Sequence, residues 1–436
     1  VTPTLGGRWD VLVRRLPLLA LGAFVLLTTL TGALAVAAYD GVGSANGYPF
    51  LDGPLWLDAW FHGDSGWYYS IAADGYSYTP GQQSPIAFFP AYPLLVELVG
   101  ELMSGDFSTA AGLVTLVCAA GAVWLFASWV RTRLPARTAV VAVALLLLYP
   151  YSFFLYGSGY SDALFLLSAM ASFALLERRL YLLAGIVAIA ATAGRPIGIA
   201  VTAGLVVRAV EMLAEERARR REAAEVAVPV GVGAGGAGPP DDAAAGGGTA
   251  PGRWPVPFRD LVTALRDVRV REVSLLVSLA GLIAWTVYLG TRFGDPLAFA
   301  TVQGAPGWDQ GSGPFTWFKG VFVGTALAGR WDVMVLLIPQ ALCCLVAVLL
   351  VRTCWRRFGW GYTAFAAVSI AIPIIGTKDF MGAGRYVLAA YPLLAAAAVV
   401  LTGERRPRWL LPVVLVLLAV GLAIATVAYV NGVEVS

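Results

Sequence analysis

Apolar runs of sixteen to twenty-odd residues, broken by short clusters of arginine, dominate this 436-residue chain. The longer runs match what a helix needs to cross a hydrocarbon core of about 30 Å. They occupy 17–39, 109–130, 138–155, 161–176, 273–290, 332–351, 360–376, 386–402 and 409–430, and two shorter apolar segments meet at Gly194-Arg195-Pro196. The pattern predicts an all-α polytopic membrane protein with about eleven transmembrane helices. The first run is too long for a signal-peptide core and lacks a convincing cleavage site, so it is expected to stay as an anchor. The segment 88–103, opening with Phe88-Phe-Pro-Ala-Tyr-Pro-Leu-Leu95, is too short and Pro-rich for a full crossing and is expected to be re-entrant or interfacial.

The arginine clusters orient these spans, because Lys and Arg concentrate on the cytoplasmic side. Arg8, Arg14 and Arg15 hold the N-terminus inside; Arg131, Arg133 and Arg137, then Arg178 and Arg179, Arg352 to Arg357, and Arg405 to Arg408 mark later inside loops. No Lys or Arg occurs between Arg15 and Arg131, yet Asp40, Asp52, Asp58, Asp64 and Asp74 fall there. This cation-free acidic loop is expected to face outward, with 291–330 and 377–385 on the same side.

Three parts follow: a transmembrane half at 1–221 whose first loop is 40–87, a linker at 222–252, and a second half at 253–436. The linker is rich in Ala, Gly and Pro without helical periodicity, so flexible cytoplasmic chain is expected. After it, Phe258, Leu261, Val262, Leu265 and Val268 form an apolar stripe beside Arg259, Arg266 and Arg269, which suits a helix lying flat on the anionic inner leaflet. The repeated Ala-Tyr-Pro-Leu-Leu at Ala91 and Ala390 is isolated and supports no internal repeat.

Composition agrees with this picture: 58% hydrophobic, 13% charged, mean hydropathy +0.74. The net charge of +3 comes from arginines that membrane orientation already explains, so no nucleic-acid partner is expected. Cys118, Cys343, Cys344 and Cys354 lie in or beside spans without metal-ligand spacing, which argues against disulfides and structural zinc. Only Lys319 and Lys378 are lysines among thirty cationic residues, and Ala and Gly abound. This points to a high-GC bacterial gene, and so to a bacterial plasma membrane.

Chemistry concentrates at His62-Gly-Asp-Ser-Gly-Trp-Tyr-Tyr-Ser-Ile-Ala-Ala-Asp-Gly-Tyr76. Asp64 opens a short helix predicted over 65–73, with Gly75 as its left-handed C-terminal residue. Its carboxylate either caps that helix or serves as a base, or does both. If the donor is a lipid-phosphate sugar, phosphate is already a good leaving group, so one carboxylate and a few cations suffice. Asp58, six residues earlier and beyond a Gly63 break, does not pair with Asp64 as in ordinary glycoside hydrolysis. Arg195, Lys378 and Arg385 are cations the inside rule does not explain; they bind a donor phosphate or form internal salt bridges, for example to Asp162 or Asp379. Candidates for lining the substrate cavity are His62, Trp67 and Tyr68 in the first loop, Tyr160 and Asp162 later, and Gln303 and Tyr386 in the second half. The loop aromatics either stack on sugar rings or anchor the interface. No metal site is indicated, although a divalent metal is compatible with the residues.

Gly63-Asp64, Ile71-Ala-Ala-Asp-Gly-Tyr76 and Phe88-Phe-Pro-Ala-Tyr-Pro93 resemble the Trp-Asp, Ile-Ala-x-x-Gly-Tyr and Phe-Phe-Pro-x-x-Pro sequence of the PIG-V family of membrane mannosyltransferases, within the GT-C superfamily. Tyr160-Ser-Asp162 with Leu164-Phe165, Thr192 with Arg195, and Pro296-Leu-Ala-Phe299 with Gln303 and Trp308 extend the likeness in the same order. The resemblance implies a GT-C-like bundle whose extracytoplasmic first loop carries short interfacial helices. It also implies a polyprenyl- or dolichyl-phosphate mannose donor, inverting transfer to a glycan, glycolipid or protein acceptor, Asp64 as base and Arg195 as a functional arginine. Gly63 stands where the family usually has Trp, Asp162 replaces Glu, and Gly194-Arg-Pro replaces Ala-Thr-Arg-Ser-Asn. The rival from another class is a lipid-linked-sugar flippase or transporter; a GT-C enzyme using arabinofuranose or glucose is a nearer alternative. Alternating access needs a midplane site, whereas the polar candidates here gather on one side.

The arginine pattern makes a direct prediction. In intact cells, cysteine placed at Ser65 should react with an impermeant thiol reagent and cysteine at Ala244 should not; the reverse result would put the Asp64 loop in the wrong compartment.

Overall fold

The computed structural model describes residues 12–39, 55–227, 255–310 and 313–435. Among them the regular structure is entirely helical, with no strand. The first part of the acidic loop, with Asp40 and Asp52, and linker residues 228–252 lie outside the described residues. The preceding helix continues to Ala227, through the helix-forming run Glu222-Ala-Ala-Glu225.

The helices that matter are α1 (Leu16–Ala38), α2 (Ser65–Asp74), α3 (Ala91–Leu102), α4 (Phe107–Arg133), α5 (Ala136–Leu148), α6 (Asp162–Glu177), α7 (Tyr181–Thr192), α8 (Gly198–Ala227), α9 (Phe258–Ala264), α10 (Ala280–Phe293), α11 (Trp331–Gly376), α12 (Ala383–Ala389), α13 (Tyr391–Leu401) and α14 (Leu410–Val430). Among the described residues, five helical stretches are long and apolar enough to cross a membrane, or six if the bent pair α12–α13 counts as one. The chain is a multi-pass membrane protein.

Not all of the expected crossings appear as single straight helices, and Pro and Gly explain where they break. The 138–155 run stops at Leu148, before Pro150, and resumes as a 3₁₀ segment Pro150–Leu155. The 386–402 run is bent by 81° between α12 and α13, next to Pro392. At 12 residues α3 is about 18 Å long and cannot cross by itself. It buries Tyr92, Val96 and Gly100 against α4 and exposes Leu94, Leu98 and Leu102, so its outer stripe is apolar. At the start of α4, Asp106 Oδ1 accepts from Thr109 N at 3.0 Å and from the Ser108 hydroxyl at 2.9 Å. Burial pushes the Asp106 carboxyl up, but these hydrogen bonds outweigh it and hold the group below the usual aspartate value.

Small residues let the helices approach, as membrane helix packing requires. Ala110, Ala111, Ala119, Ala122 and Ala127 of α4 are buried. A Cβ on Gly361 of α11 would lie 2.6 Å from the Arg208 Cα of α8. Just before this crossing, α11 is broken at Gly359, whose φ of +83° favours glycine. The new helix start leaves two N–H groups without helical partners, and Glu211 of α8 accepts both, Trp360 N at 2.7 Å and Gly361 N at 3.2 Å. Arg208 balances that buried carboxylate at 3.1 Å and reaches Glu177 at 2.9 Å and Glu215 at 2.6 Å. Arg133 and the Tyr362 hydroxyl also bond Glu177, each at 3.1 Å.

The expected basic amphipathic helix is present as α9, continued by a 3₁₀ turn at Leu265–Asp267, but its apolar stripe is divided. Leu261 and Ala264 pack on Leu213 and Ala214 of α8, while Phe258, Val262 and Leu265 are exposed. Arg217 of α8 holds the helix through Asp267 at 3.0 Å and the Thr263 carbonyl.

Replacing Glu211 with Ala would orphan two N–H groups at the restart of α11 and remove one of the three carboxylates on Arg208. At about 1–3 kcal/mol for each unsatisfied donor, it should cost about 2–6 kcal/mol of stability, read as a lower unfolding midpoint in detergent. An unchanged midpoint would show that the α8–α11 crossing does not depend on this carboxylate.

Candidate active site

The turn before α2 presents Asp64 without using its side chain as a helix cap: the N-terminus of α2 receives no capping hydrogen bond from it. The helix runs to Asp74, and Gly75 follows at φ +81°, ψ −166°, its N–H bonded to the Ile71 carbonyl, so it terminates the helix outside the left-handed region expected for it. Asp58 ends a separate short helix, Leu55–Asp58. Two phenols hold the turn. The Tyr160 hydroxyl accepts from Asp64 N at 2.7 Å and donates to the His62 carbonyl at 3.3 Å. The Tyr429 hydroxyl of α14 lies 2.9 Å from the same carbonyl and 3.1 Å from that of Trp60. Gly63, at φ +59°, faces the Tyr160 hydroxyl, and a Cβ there would collide with it. That contact and the positive φ account for glycine before Asp64.

The Asp64 carboxylate meets Arg385 of α12. Both terminal nitrogens of the guanidinium lie 3.2 Å from Oδ2, with the aspartate side chain 27% and the arginine 14% exposed, so the pair is sheltered but reachable. The guanidinium also lies over the Tyr160 and Phe154 rings, at 5.4 and 5.5 Å. Upstream anchors fix this arginine. The Tyr149 hydroxyl donates to the Gly384 carbonyl at 2.9 Å, and Asp379 Oδ1 accepts from Met381 N at 3.0 Å. Lys319, buried and left-handed at φ +54°, bonds the Thr377 carbonyl at the end of α11 and lies 4.7 Å from the Phe380 ring centre.

A second pair stands beside the first. Arg195, in the break between α7 and α8, binds Asp162 Oδ1 at the start of α6, and both residues are buried. Asp162 Oδ2 has no hydrogen-bond partner among the described residues. Arg195 lies 4.9 Å from the Tyr386 ring centre, and Arg385 falls within electrostatic reach of Asp162 as well as Asp64. Tyr68 joins the two sets: its hydroxyl is 2.8 Å from that of Ser161, and its phenol feels Arg195, Asp64 and Arg385. Of the salt bridges open to these cations, the structure contains Arg195–Asp162, whereas Asp379 is used within its own turn.

The remaining candidates divide. Trp67 stacks on Phe88 at 6.0 Å and meets Trp308 at 5.9 Å, and the Trp308 carbonyl accepts from Lys378 Nζ at 3.2 Å. These contacts bring the loops at 67, 88, 308 and 378 together. Gln303 accepts from Gln310 N at 3.0 Å through its backbone carbonyl, and its side chain is half-buried. His62 is buried edge-on to Tyr39 and Tyr429, at 5.8 and 5.9 Å, and so belongs to the wall behind Asp64. Tyr429 and Lys319 carry no sequence signal beyond their type: one ends an apolar run like any interfacial aromatic, the other sits in a long loop. Among the described residues, no group of three or more His, Cys, Asp or Glu side chains is placed to hold a metal ion.

No protein-family model and no curated protein matches the chain. Among solved structures it is similar to the Archaeoglobus fulgidus oligosaccharyltransferase in its apo form, with TM-score 0.43, 13% identity, and coverage of 94% of this chain and 56% of that one. It is also similar to the same enzyme tethered to an acceptor peptide containing the NVT sequon, with TM-score 0.39, 13% identity, and coverage of 94% and 55%. The chain spans little more than half the length of these structures.

Proposed function

We propose that this protein is an integral membrane glycosyltransferase of the GT-C type. It would transfer a sugar, mannose on the sequence resemblance, from a polyprenyl phosphate to a glycan, glycolipid or protein hydroxyl on the extracytoplasmic face of a bacterial plasma membrane. The observation that supports this most is the Asp64–Arg385 pair, a half-sheltered carboxylate joined to a guanidinium with a second pair, Asp162–Arg195, beside it. A donor phosphate and Asp64 compete for the same guanidinium nitrogens. When the phosphate takes them, Asp64 is released to accept the proton of the acceptor hydroxyl. The acceptor oxygen then attacks the anomeric carbon opposite the phosphate, the carbon–oxygen bond to phosphate breaks, and its electron pair leaves on the polyprenyl phosphate with inversion. Arg385, with Arg195 behind it, opposes the charge that grows on the departing phosphate. Lys378 contributes from the neighbouring loop, while Trp67, Tyr68 and Tyr386 flank the sugar.

Purified protein should transfer sugar from polyprenyl-phosphate mannose and ignore GDP-mannose. Asp64→Asn should lower turnover by about two to four orders of magnitude. Arg385→Gln should cost about 1.5–3 kcal/mol of donor or transition-state binding, about ten- to a hundredfold, and Arg385→Lys should also be impaired because one point charge replaces two nitrogens. Near-normal turnover by Asp64→Asn, or use of GDP-mannose alone, would remove this assignment.

A further inference from the structure

We infer that Tyr429, on the last helix, and Tyr160 act as positioning residues that fix the reactive turn: their two hydroxyls form a clamp that sets where the Asp64 carboxylate stands. The inference rests on Asp64 being the base, and it adds residues from two distant parts of the chain to that function.

The turn from Trp60 to Ser65 is irregular backbone, open at Gly63 but buried at Trp60, His62 and Ser65, and the buried carbonyls and N–H groups need partners. His62 O accepts from Ser65 N at 3.2 Å within the turn, and further bonding comes from the phenols. Tyr429 has one proton to share between the carbonyls of His62 and Trp60, and its oxygen lies 3.3 Å from the Ser65 hydroxyl. Tyr160 takes the Asp64 N–H and returns its own proton to His62. One phenol thus grips the turn before Asp64 and the other grips Asp64 itself. Both side chains are buried, and their rings pack together at 6.0 Å and around Phe154 at 5.9 and 4.6 Å, so neither hydroxyl can follow a moving loop. Because Tyr160 also lies under the Arg385 guanidinium, the clamp fixes the carboxylate relative to its counter-ion.

Backbone satisfaction alone would make these phenols structural; a positioning role adds a kinetic signature. Tyr429→Phe and Tyr160→Phe keep the rings and remove the hydroxyls. In full-length protein supplied with polyprenyl-phosphate mannose, each should lower kcat about ten- to a hundredfold while the donor KM stays within about twofold, because donor contacts are untouched and the reacting geometry is not. Amides of residues 60–69 should exchange hydrogen faster in both variants. A folded Tyr429→Phe or Tyr160→Phe protein with wild-type kcat overturns the inference, as does unchanged exchange across the turn. If one variant fails to fold, the other carries the same test. Normal turnover by Asp64→Asn would instead bring down the assignment of the base, while the exchange measurement would still judge the clamp.

Discussion

Backbone that leaves a helix in apolar surroundings must have its N–H and C=O groups satisfied by side chains, and that single demand arranges much of this molecule. It recurs at three breaks. Glu211 takes the N–H groups exposed where α11 restarts after Gly359; Lys319 takes the carbonyl at the end of the same helix; Tyr160 and Tyr429 take the groups of the turn before α2. In each case the satisfying group comes from a distant part of the chain. The breaks therefore act as tertiary fasteners: the first joins α8 to α11, and the other two hold the chain just before Arg385 and the turn that bears Asp64.

Charge follows the same economy. A carboxylate or guanidinium withdrawn from water needs a counter-charge or bound water, and losing one partner costs more than the pair contributes. Glu177, Glu211 and Glu215 gather on Arg208, and Arg133 joins at Glu177, with every carboxylate in contact with a cation. The Asp64–Arg385 and Asp162–Arg195 pairs differ in having capacity left over. Among the described residues, Asp162 Oδ2 and Arg385 Nε are buried without hydrogen-bond partners, and Asp64 meets Arg385 through one oxygen. A fully bonded network suits a structural joint, whereas unfilled bonding capacity beside a half-sheltered carboxylate suits a place where another polar molecule binds.

The architecture was legible wherever a long property repeats. Apolar runs located the long spans, and the turn chemistry around Gly63 and Gly75 located α2 within a residue. Charges at 208, 211 and 215 share a helix face by spacing, yet nothing in that spacing says that α11 meets the face. The same limit hid the partner of Asp64. Its spacing to Arg385 is 321 residues, and the anchors at Gly384 and Thr377 on one side and the phenols on the other are tertiary contacts that spacing does not register. Single-run predictions at 138–155 and 386–402 failed locally for a different reason, since hydropathy does not register the backbone restriction that Pro150 and Pro392 impose.

Tyr429 shows where this limit matters most. In sequence it is an aromatic residue near the end of an apolar helix, a place where tyrosines ordinarily mark a membrane interface. In the structure its ring is buried among Trp60, His62, Phe153 and Phe154, and its hydroxyl serves the first loop. An interfacial tyrosine would keep that hydroxyl in water. Here the last helix closes the bundle and supplies a hydrogen-bonding group to a turn more than 360 residues earlier, so the geometry around Asp64 depends on α14 being seated.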